Sequence, residues 1–394
     1  MKNYLSLLIV TVICFSCVNK KKNDNPILGD ELVTFIIKDL PTKYDFKNDV
    51  FISGDFEGWS GGREKFKLKK QSNSYYIDIP RYKETISFKF TKGKWGEEEC
   101  QLNGNPIENR TYSFGKLKDT VKVSIKKWSD VKNQHKQSTA SKNVIVFAEN
   151  FQIPQLNRTR KVSVYLPPNY ETSNENFPVL YMLDGQNVFD VSTSYSGEWE
   201  VDETLNKIFG ETGFALIVVA IDHGEDKRLS EYSAWDNEKY GKGEGSEFLK
   251  FLVSNLKPEI DKSFRTEKEA KNTAIMGSSL GGLFTHYAAI EKPDIFGKAG
   301  VFSPSFWYAK DSYPFTKNAT NIANSKLYYL AGEKEGETMV KPMREMLALM
   351  KENGFSEQNI YSKIVPEGMH SESFWKTEFE QAIKWLFNLN NSNK

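Results

Sequence analysis

The stretch NTAIMGSSLGGL, Asn272 to Leu283, decides how the rest of this chain is read. Thr273 to Met276 reads as a short apolar strand, Gly277-Ser278-Ser279-Leu280-Gly281 as a tight turn, and a helix is expected from near Gly282. G-x-S-x-G between a strand and a helix is the pattern of a nucleophile elbow, which holds a serine hydroxyl clear of its own backbone. Gly277 and Gly281 are expected where any Cβ would collide with the neighbouring strand or helix. The helix N-terminus behind the serine adds positive potential where an oxyanion would form. Ser279, not Ser278, is the candidate nucleophile.

An elbow serine needs a base, almost always histidine, to be nucleophilic at neutral pH. Four histidines are present: His135, His223, His286 and His370. His135 lies in a polar linker. His286 lies on the elbow helix, pointing away along its axis, and is expected to be a packed or exposed helical residue. His370, in Pro366-Glu367-Gly368-Met369-His370, directly follows the last strand and completes the chain order serine, acid, histidine. The acid must fall between Ser279 and His370. The strand Leu327–Ala331 runs into Gly332-Glu333-Lys334-Glu335-Gly336-Glu337, and one of these three glutamates is expected to orient His370 and stabilise its protonated form. The other two read as a solvated acidic loop; Asp294 and Asp311 lie on loops nearer the elbow. An oxyanion hole needs two backbone N–H groups. Leu280, after the nucleophile, supplies one. Gln186 supplies the other, from the turn Asp184-Gly185-Gln186 after the strand Val179–Leu183, with Gly185 allowing the sharp turn. The Gln186 side chain is constrained little by such a role.

With 394 residues the chain has room for two domains or one large one, and a net charge of +1 gives no basic footprint for nucleic acid. Lys2 followed by the apolar run Leu5 to Phe15, too short to span a bilayer comfortably, reads as a signal peptide over residues 1–17. Cys14-Phe15-Ser16-Cys17 resembles a lipoprotein processing box, with Cys14 where leucine is usual, so Cys17 is the expected lipidation site. Plain secretion is the alternative. The expected location is therefore outside the cytoplasm, in the periplasm or cell envelope, with membrane contact through the lipid anchor. Cys100 then remains alone, leaving no intramolecular disulfide.

Residues 18–30 read as a tether. Residues 31–130 alternate in short segments (LVTFIIKDL, DVFISGDF, YYIDIP, TISFKF, TVKVSIKKW), the pattern of a small antiparallel β-sandwich. Residues 131–143 form a polar linker. Over 144–390 near-continuous apolar strands alternate with amphipathic helices, which indicates an α/β fold with a mostly parallel sheet covered on both faces. No H-E-x-x-H, cysteine cluster or Walker-type loop is present, so no metal, nucleotide or other cofactor is expected. Asp222, Arg228, Glu231 and Tyr232 are candidates for an acyl- or alcohol-binding wall, or else a salt-bridged loop. Trp199 and Trp307 are candidates for packing at the mouth or for substrate platforms.

LYMLDGQNVFD, AIDHGEDKRLSEYSAW, LKPEIDKSFRT, IMGSSLGGL, VFSPSFW and EGMHSESFW together resemble the bacterial "putative esterase" group of α/β-hydrolases, from about Asn143 to Leu389. That group includes family-one carbohydrate esterases such as feruloyl and acetylxylan esterases, enterochelin-type siderophore esterases and, more distantly, mycolyltransferases. The resemblance implies an α/β-hydrolase fold and assigns the acid to the Glu of a G-x-x-E turn, here Glu335, with Glu333 as runner-up. It also matches His370 through Trp375 to the family's histidine followed by S-E-x-x-W.

In the first domain, Phe51 to Trp59, Ile86 to Trp95, Asn109-Arg110 and Lys127 to Asp130 resemble the glycogen-binding modules of AMP-activated kinase beta subunits. There the resemblance implies Trp59 and Trp95 stacking on sugar rings with Lys89 nearby, although Glu97-Glu98-Glu99-Cys100 departs from that pattern. The expectation is a serine carboxylic-ester hydrolase acting through an acyl-enzyme on a small-molecule or polysaccharide ester, with feruloyl or acetyl carbohydrate esters preferred. The alternatives are a siderophore trilactone esterase and a non-catalytic glycan-binding lipoprotein; transfer to an alcohol in place of water stays open.

Overall fold

Runs without a single polar position, such as Val179–Leu183 (LYM core, VLYML) and Ile217–Ile221 (IVVAI), are fully buried and build the centre of an eight-stranded sheet. The computed structural model describes residues 28–41, 49–71, 74–102, 104, 107–129, 137–194, 197–319 and 325–389. The expected signal peptide with Cys17, residues 18–27 of the tether and residues 131–136 of the linker lie outside the described residues.

Among its described residues the first domain has nine strands: β1 (Leu32–Asp39), β2 (Phe51–Gly54), β3 (Lys69–Gln71), β4 (Ser74–Pro80), β5 (Thr85–Thr91), β6 (Glu99–Cys100), β7 (Arg110–Ser113), β8 (Lys118–Ser124) and β9 (Lys127–Trp128). One sheet has the order β3-β4-β1-β8, a second β2-β5-β7, and β6 pairs with β9. Alternation in β1 turns Val33, Phe35 and Ile37 inward. Phe35 meets Phe88 of the facing sheet at 4.6 Å between ring centroids. One correction applies: the sandwich is not wholly antiparallel, because β1 runs parallel to β8, Leu32 against Lys118. The two are far apart in sequence and joined through the opposite sheet, so no hairpin forces them antiparallel. The short β7, carrying Arg110, is absent from the sequence reading. It sits beside β5, and Arg110 forks onto the buried Glu99 carboxylate at 2.8–3.0 Å.

The second domain begins with the antiparallel pair β10 (Val144–Ile153) and β11 (Arg158–Tyr165). Then follow β12 (Val179–Leu183), β13 (Ile217–Ile221), β14 (Thr273–Ser278), β15 (Lys298–Phe302), β16 (Lys326–Gly332) and β17 (Ile360–Val365), parallel to one another in the order β10-β11-β13-β12-β14-β15-β16-β17. Period-two alternation splits the core. Tyr181, Leu183, Val219 and Ile221 face the helices Leu280–Glu291 and Glu337–Glu352. Leu180, Met182, Val218 and Ala220 face the helices Val201–Thr212 and Glu372–Leu386. The strand order reverses between β12 and β14, so the crevice beyond their C-terminal ends is the topological switch point where open α/β sheets bind ligands. Among the described residues no helix is long and apolar enough to cross a membrane.

Two glycines bring the last two loops together. A Cβ on Gly332, at the end of β16, would overlap the backbone carbonyl of Gly368, and a Cβ on Gly368 would lie 2.7 Å from the Gly332 Cα. Lys334 N–H donates to Gly368 O at 3.1 Å across this contact. Gly210, by contrast, is exposed in the helix Val201–Thr212 with open space where a Cβ would stand. Gly332→Ala is therefore expected to destabilise the fold by about 1–3 kcal/mol through overpacking. Gly210→Ala should stabilise it by about 0.5–1 kcal/mol. Urea unfolding of the two variants against the parent checks both signs.

Candidate active site

β14 ends in the elbow. Ser279 adopts φ 60°, ψ −121°, a conformation an L-residue keeps only when its surroundings impose it. They do: Ser279 N–H donates to Phe302 O at 3.0 Å, and Ser305 N–H donates to Ser279 O at 3.0 Å. The strand extends to Ser278 and the helix starts at Leu280, earlier than the sequence suggests. The glycine requirement also shifts. A Cβ on Gly277 would meet Gly281 O at 2.8 Å and one on Gly282 would meet Phe302 O at 2.5 Å, whereas one on Gly281 finds only side-chain atoms, the nearest at 3.3 Å. Gly277 and Gly282, not Gly281, are the positions of the elbow where backbone leaves no room.

His370 lies with Nε2 2.9 Å from Ser279 Oγ and Nδ1 2.6 Å from Glu335 Oε2. A carboxylate only accepts, so the Nδ1 proton faces Glu335 and the lone pair on Nε2 faces the serine hydroxyl. The Glu335 carboxylate is fully buried yet fully used: besides His370 it accepts from Gly332 N–H at 2.6 Å and Ser303 Oγ at 2.7 Å. Glu333, the alternative, is exposed on the solvent side of the same turn. The structure thus brings Ser279, His370 and Glu335 together. It adds three residues to which the sequence reading gives no role. Ser303, held at φ 43°, donates to Glu335 and accepts from Trp375 Nε1 at 2.8 Å. The Trp375 ring stands edge-on to His370 with centroids 5.0 Å apart. Ser305 Oγ lies 3.4 Å from Ser279 Oγ. The signal for them was visible in VFSPSFW and S-E-x-x-W, as motifs without assigned functions.

Leu280 opens its helix, so its N–H is among the donors without an intrahelical acceptor. Gln186 lies in the turn Gly185–Asn187 directly after β12, beside β14. Here the turn geometry differs from expectation. Asp184, not Gly185, takes the left-handed conformation, at φ 56°. Gly185 is needed for close approach, since a Cβ there would lie 2.7 Å from the Ile221 backbone. The Gln186 side chain is not free either, because its Oε1 accepts from His223 N–H at 3.2 Å.

The proposed binding wall separates into different parts. Arg228 grips Asp184 with two bonds, at 2.6 and 2.8 Å, and packs over the Tyr232 ring. Tyr232 is wholly buried against Phe248 and Phe284, and its hydroxyl accepts from Asp184 N–H at 3.2 Å, so it braces the turn and offers substrate no surface. Glu231 is likewise buried, bound by Arg158 and Arg160. Trp199 is also a packing residue, stacked on Phe302 at 5.4 Å and tilted on Trp375 at 5.8 Å. Trp307, two residues beyond Ser305, is instead 40% exposed. Asp222 follows β13, its carboxyl pushed up to about 6 by burial against the opposing pull of Lys161 and Arg160. Burial also raises Glu372, opposed by the charges of Lys89 and His370, which places the first domain's Lys89 within electrostatic reach of the site. His286 lies in the core, bonded to Tyr329 and Thr316 and pushed down to about 3 by burial, so it stays neutral.

Trp59 and Trp95 lie together with centroids 6.0 Å apart, and Trp95 Nε1 donates to Trp59 O at 2.7 Å. Their loop touches the second domain. Gly58 packs on the Tyr240 ring and Lys239 Nζ donates to Phe56 O at 3.4 Å.

The YbbA protein of Bacillus subtilis is 26% identical over 247 residues, 59% of this chain and 94% of its own length. An endo-1,4-beta-xylanase/feruloyl esterase of Xylanibacter ruminicola is 26% identical over 241 residues, 58% of this chain but 30% of that larger protein. Among solved structures, the enterobactin esterase FES from Shigella flexneri shares the fold with a TM-score of 0.51 at 15% identity, over 92% of this chain and 95% of its own. Residues 153–386 match the family described as "Putative esterase", and this chain, an α/β-hydrolase with a β-rich domain in front, belongs to that esterase family.

Proposed function

We propose that the protein is an exported serine carboxylic-ester hydrolase that removes acyl groups, such as feruloyl or acetyl, from carbohydrate. The observation that carries the mechanism is the unbroken hydrogen-bond chain Ser279–His370–Glu335, at 2.9 and 2.6 Å. In this reading Ser279 Oγ attacks the ester carbonyl carbon as its proton passes to His370 Nε2. The carbonyl oxygen becomes an oxyanion facing the N–H groups of Leu280 and Gln186. Collapse breaks the bond to the alcohol, which leaves with the proton from His370. Water then attacks the acyl-enzyme, gives a proton to His370 and releases the acid, and the proton returns to Ser279. Glu335 holds the imidazole in the required tautomer and stabilises its cation without taking the proton.

Support for the substrate class is the similarity to part of an endo-1,4-beta-xylanase/feruloyl esterase together with the paired Trp59 and Trp95 rings. Flat apolar sugar faces favour such aromatic surfaces. A second reading, cleavage of a siderophore trilactone, is favoured by the likeness to FES, which extends over both domains. Export and lipidation rest on Leu5–Phe15 and Cys17; palmitate labelling that survives Cys17→Ala would remove that part of the reading.

Ser279→Ala is expected to lower kcat on p-nitrophenyl acetate by at least about 10³-fold, and Glu335→Gln by a comparable factor, with both variants folded. Ser303→Ala removes one of three donors to Glu335 and should cost about tenfold in kcat with KM nearly unchanged. Retained activity in Ser279→Ala would overturn the mechanism. Turnover of feruloyl xylo-oligosaccharide against a triserine lactone separates the two substrate readings, the first being expected to exceed the second.

A further inference from the structure

Glu198, Asp202 and Glu203 gather three carboxylates at the start of the helix Val201–Thr212, with one oxygen from each within 4.8 Å of the others. Two of them are buried, Glu198 at 8% exposure and Asp202 at 0%. Acids at a helix start ordinarily complement the dipole or cap free N–H groups. Asp202 and Glu203 lie in the first turn, and Glu203 accepts from its own backbone N–H there, but Glu198 lies ahead of the helix and the N-cap residue Glu200 makes no side-chain cap. Asp202 Oδ2 accepts instead from Ser141 N–H at 2.7 Å, and Glu198 Oε2 from Thr139 Oγ1 at 2.8 Å, both in the segment entering the second domain.

The remaining oxygens are the anomaly. Glu198 Oε1, Asp202 Oδ1, Glu203 Oε2 and the Ser141 Oγ beside Asp202 are all buried with no partner from outside the cluster; within it Glu203 hydrogen-bonds Asp202, which two carboxylates do only by holding a proton between them. A buried acceptor left without a partner costs about 1–3 kcal/mol, and more when charged. The charges bearing on Glu198 are those of Asp190, Glu200 and Asp202, all carboxylates that repel it. Among the described residues no lysine or arginine forms an ion pair with Glu198, Asp202 or Glu203. Lys207, four residues after Glu203, is bound to Glu211 and Glu380, and Lys376, which reaches this turn, is bound to Glu200.

We propose that Glu198, Asp202 and Glu203 form a binding site for a hard divalent cation of the calcium class. Oxygen-only donors select calcium, magnesium or manganese over zinc. Calcium, with ligands at about 2.3–2.6 Å, spans opposite oxygens about 4.6–5.2 Å apart, whereas magnesium demands about 4.0–4.2 Å. The three oxygens lie within 4.8 Å of one another, inside the span calcium bridges, and calcium's flexible shell tolerates an irregular donor set where magnesium demands a near-ideal octahedron. Glu203 is the least buried of the three and leaves room for water to complete the shell. The ion's role is structural. It would tie Thr139 and Ser141, already bonded to its ligands, to the helix that starts at Val201. Trp199, between the ligands in sequence, packs on Trp375, which in turn flanks His370, so the site braces the wall behind the base. The inference departs from the sequence expectation of no metal and is independent of which ester is cleaved.

The test uses the full chain freed of metal with EGTA and then titrated separately with calcium, magnesium and manganese. Calorimetry should show one calcium per chain, and Tm should climb with calcium concentration, as binding to the native state requires. Magnesium should bind more weakly. Asp202→Asn should weaken calcium binding at least about tenfold. Glu203→Gln, at the more exposed ligand, provides the same readout should Asp202→Asn fail to fold. Absence of binding heat and of any Tm shift at millimolar calcium, magnesium and manganese would overturn the site and leave protons or water holding the cluster. An equal calcium response in the parent and in Glu203→Gln would overturn the assigned ligands.

Discussion

Ser279 is held in a backbone conformation that costs on the order of 1–3 kcal/mol, and the C-terminal edge of the sheet exists in the form it does to hold it there. Each strand end is tied to the next. Ser279 N–H bonds Phe302 O at the end of β15, Ser303 N–H bonds Leu330 O in β16 at 2.6 Å, and Lys334 N–H bonds Gly368 O beyond β17. These backbone bonds cross the four strands β14 to β17 in order. They carry Ser279, the Ser303 that bonds Glu335, the Glu335 turn and the His370 loop into one row. Since each bond continues the register of a buried parallel pair, the row shifts only if the sheet does.

Two buried polar groups show how differently this fold treats charge. The Glu335 side chain is wholly buried but accepts three hydrogen bonds, and one of its donors, Ser303, is itself held by the buried Trp375. Asp184 is held by Arg228 through two bonds and by nothing apolar alone, which fixes the turn carrying Gln186. In both places each carboxylate oxygen has a donor. Single oxygens elsewhere, such as Asp55 Oδ1 and Glu57 Oε2, also lack a partner, but the Glu198–Asp202–Glu203 cluster gathers three in one place, which is what the proposed cation would satisfy.

The central strands were legible because burial on both faces leaves no polar position to disguise them, and His370 because only one of four histidines follows the last strand. The choice of Glu335 over Glu333 was not legible from the residues alone. Two glutamates two positions apart are chemically equal until the one-turn helix Glu333–Glu335 directs one inward and leaves the other in solvent. Tyr232 and Trp199 stayed open between packing and binding for a related reason. Both residue types suit binding surfaces and cores alike, and only packing decides. The parallel β1–β8 pair and the roles of Ser303 and Trp375 depend on contacts between residues far apart in the chain, on which local pattern is silent. The carboxylate cluster was hidden because its spacing belongs equally to an ordinary helix start.

The seating of the first domain bears on which esters reach Ser279. Glu57, buried in the Trp59 loop, accepts from Ser53 Oγ, Gly54 N–H and Ser60 N–H at 2.6–3.2 Å, so the loop is rigid before it meets the second domain. Its Gly58 rests on Tyr240, Tyr240 stacks on Tyr308 at 5.2 Å, and Tyr308 adjoins the exposed Trp307 on the loop that bonds Ser279. A domain joined by a flexible linker alone would only raise local substrate concentration. One seated through these contacts also fixes the direction from Trp59 and Trp95 to the serine. A glycan lying on those rings would then present its acyl groups at a set distance from the nucleophile. The spacing of acyl groups along a polymer, as well as the fit of one acyl group, would enter the selectivity of the enzyme.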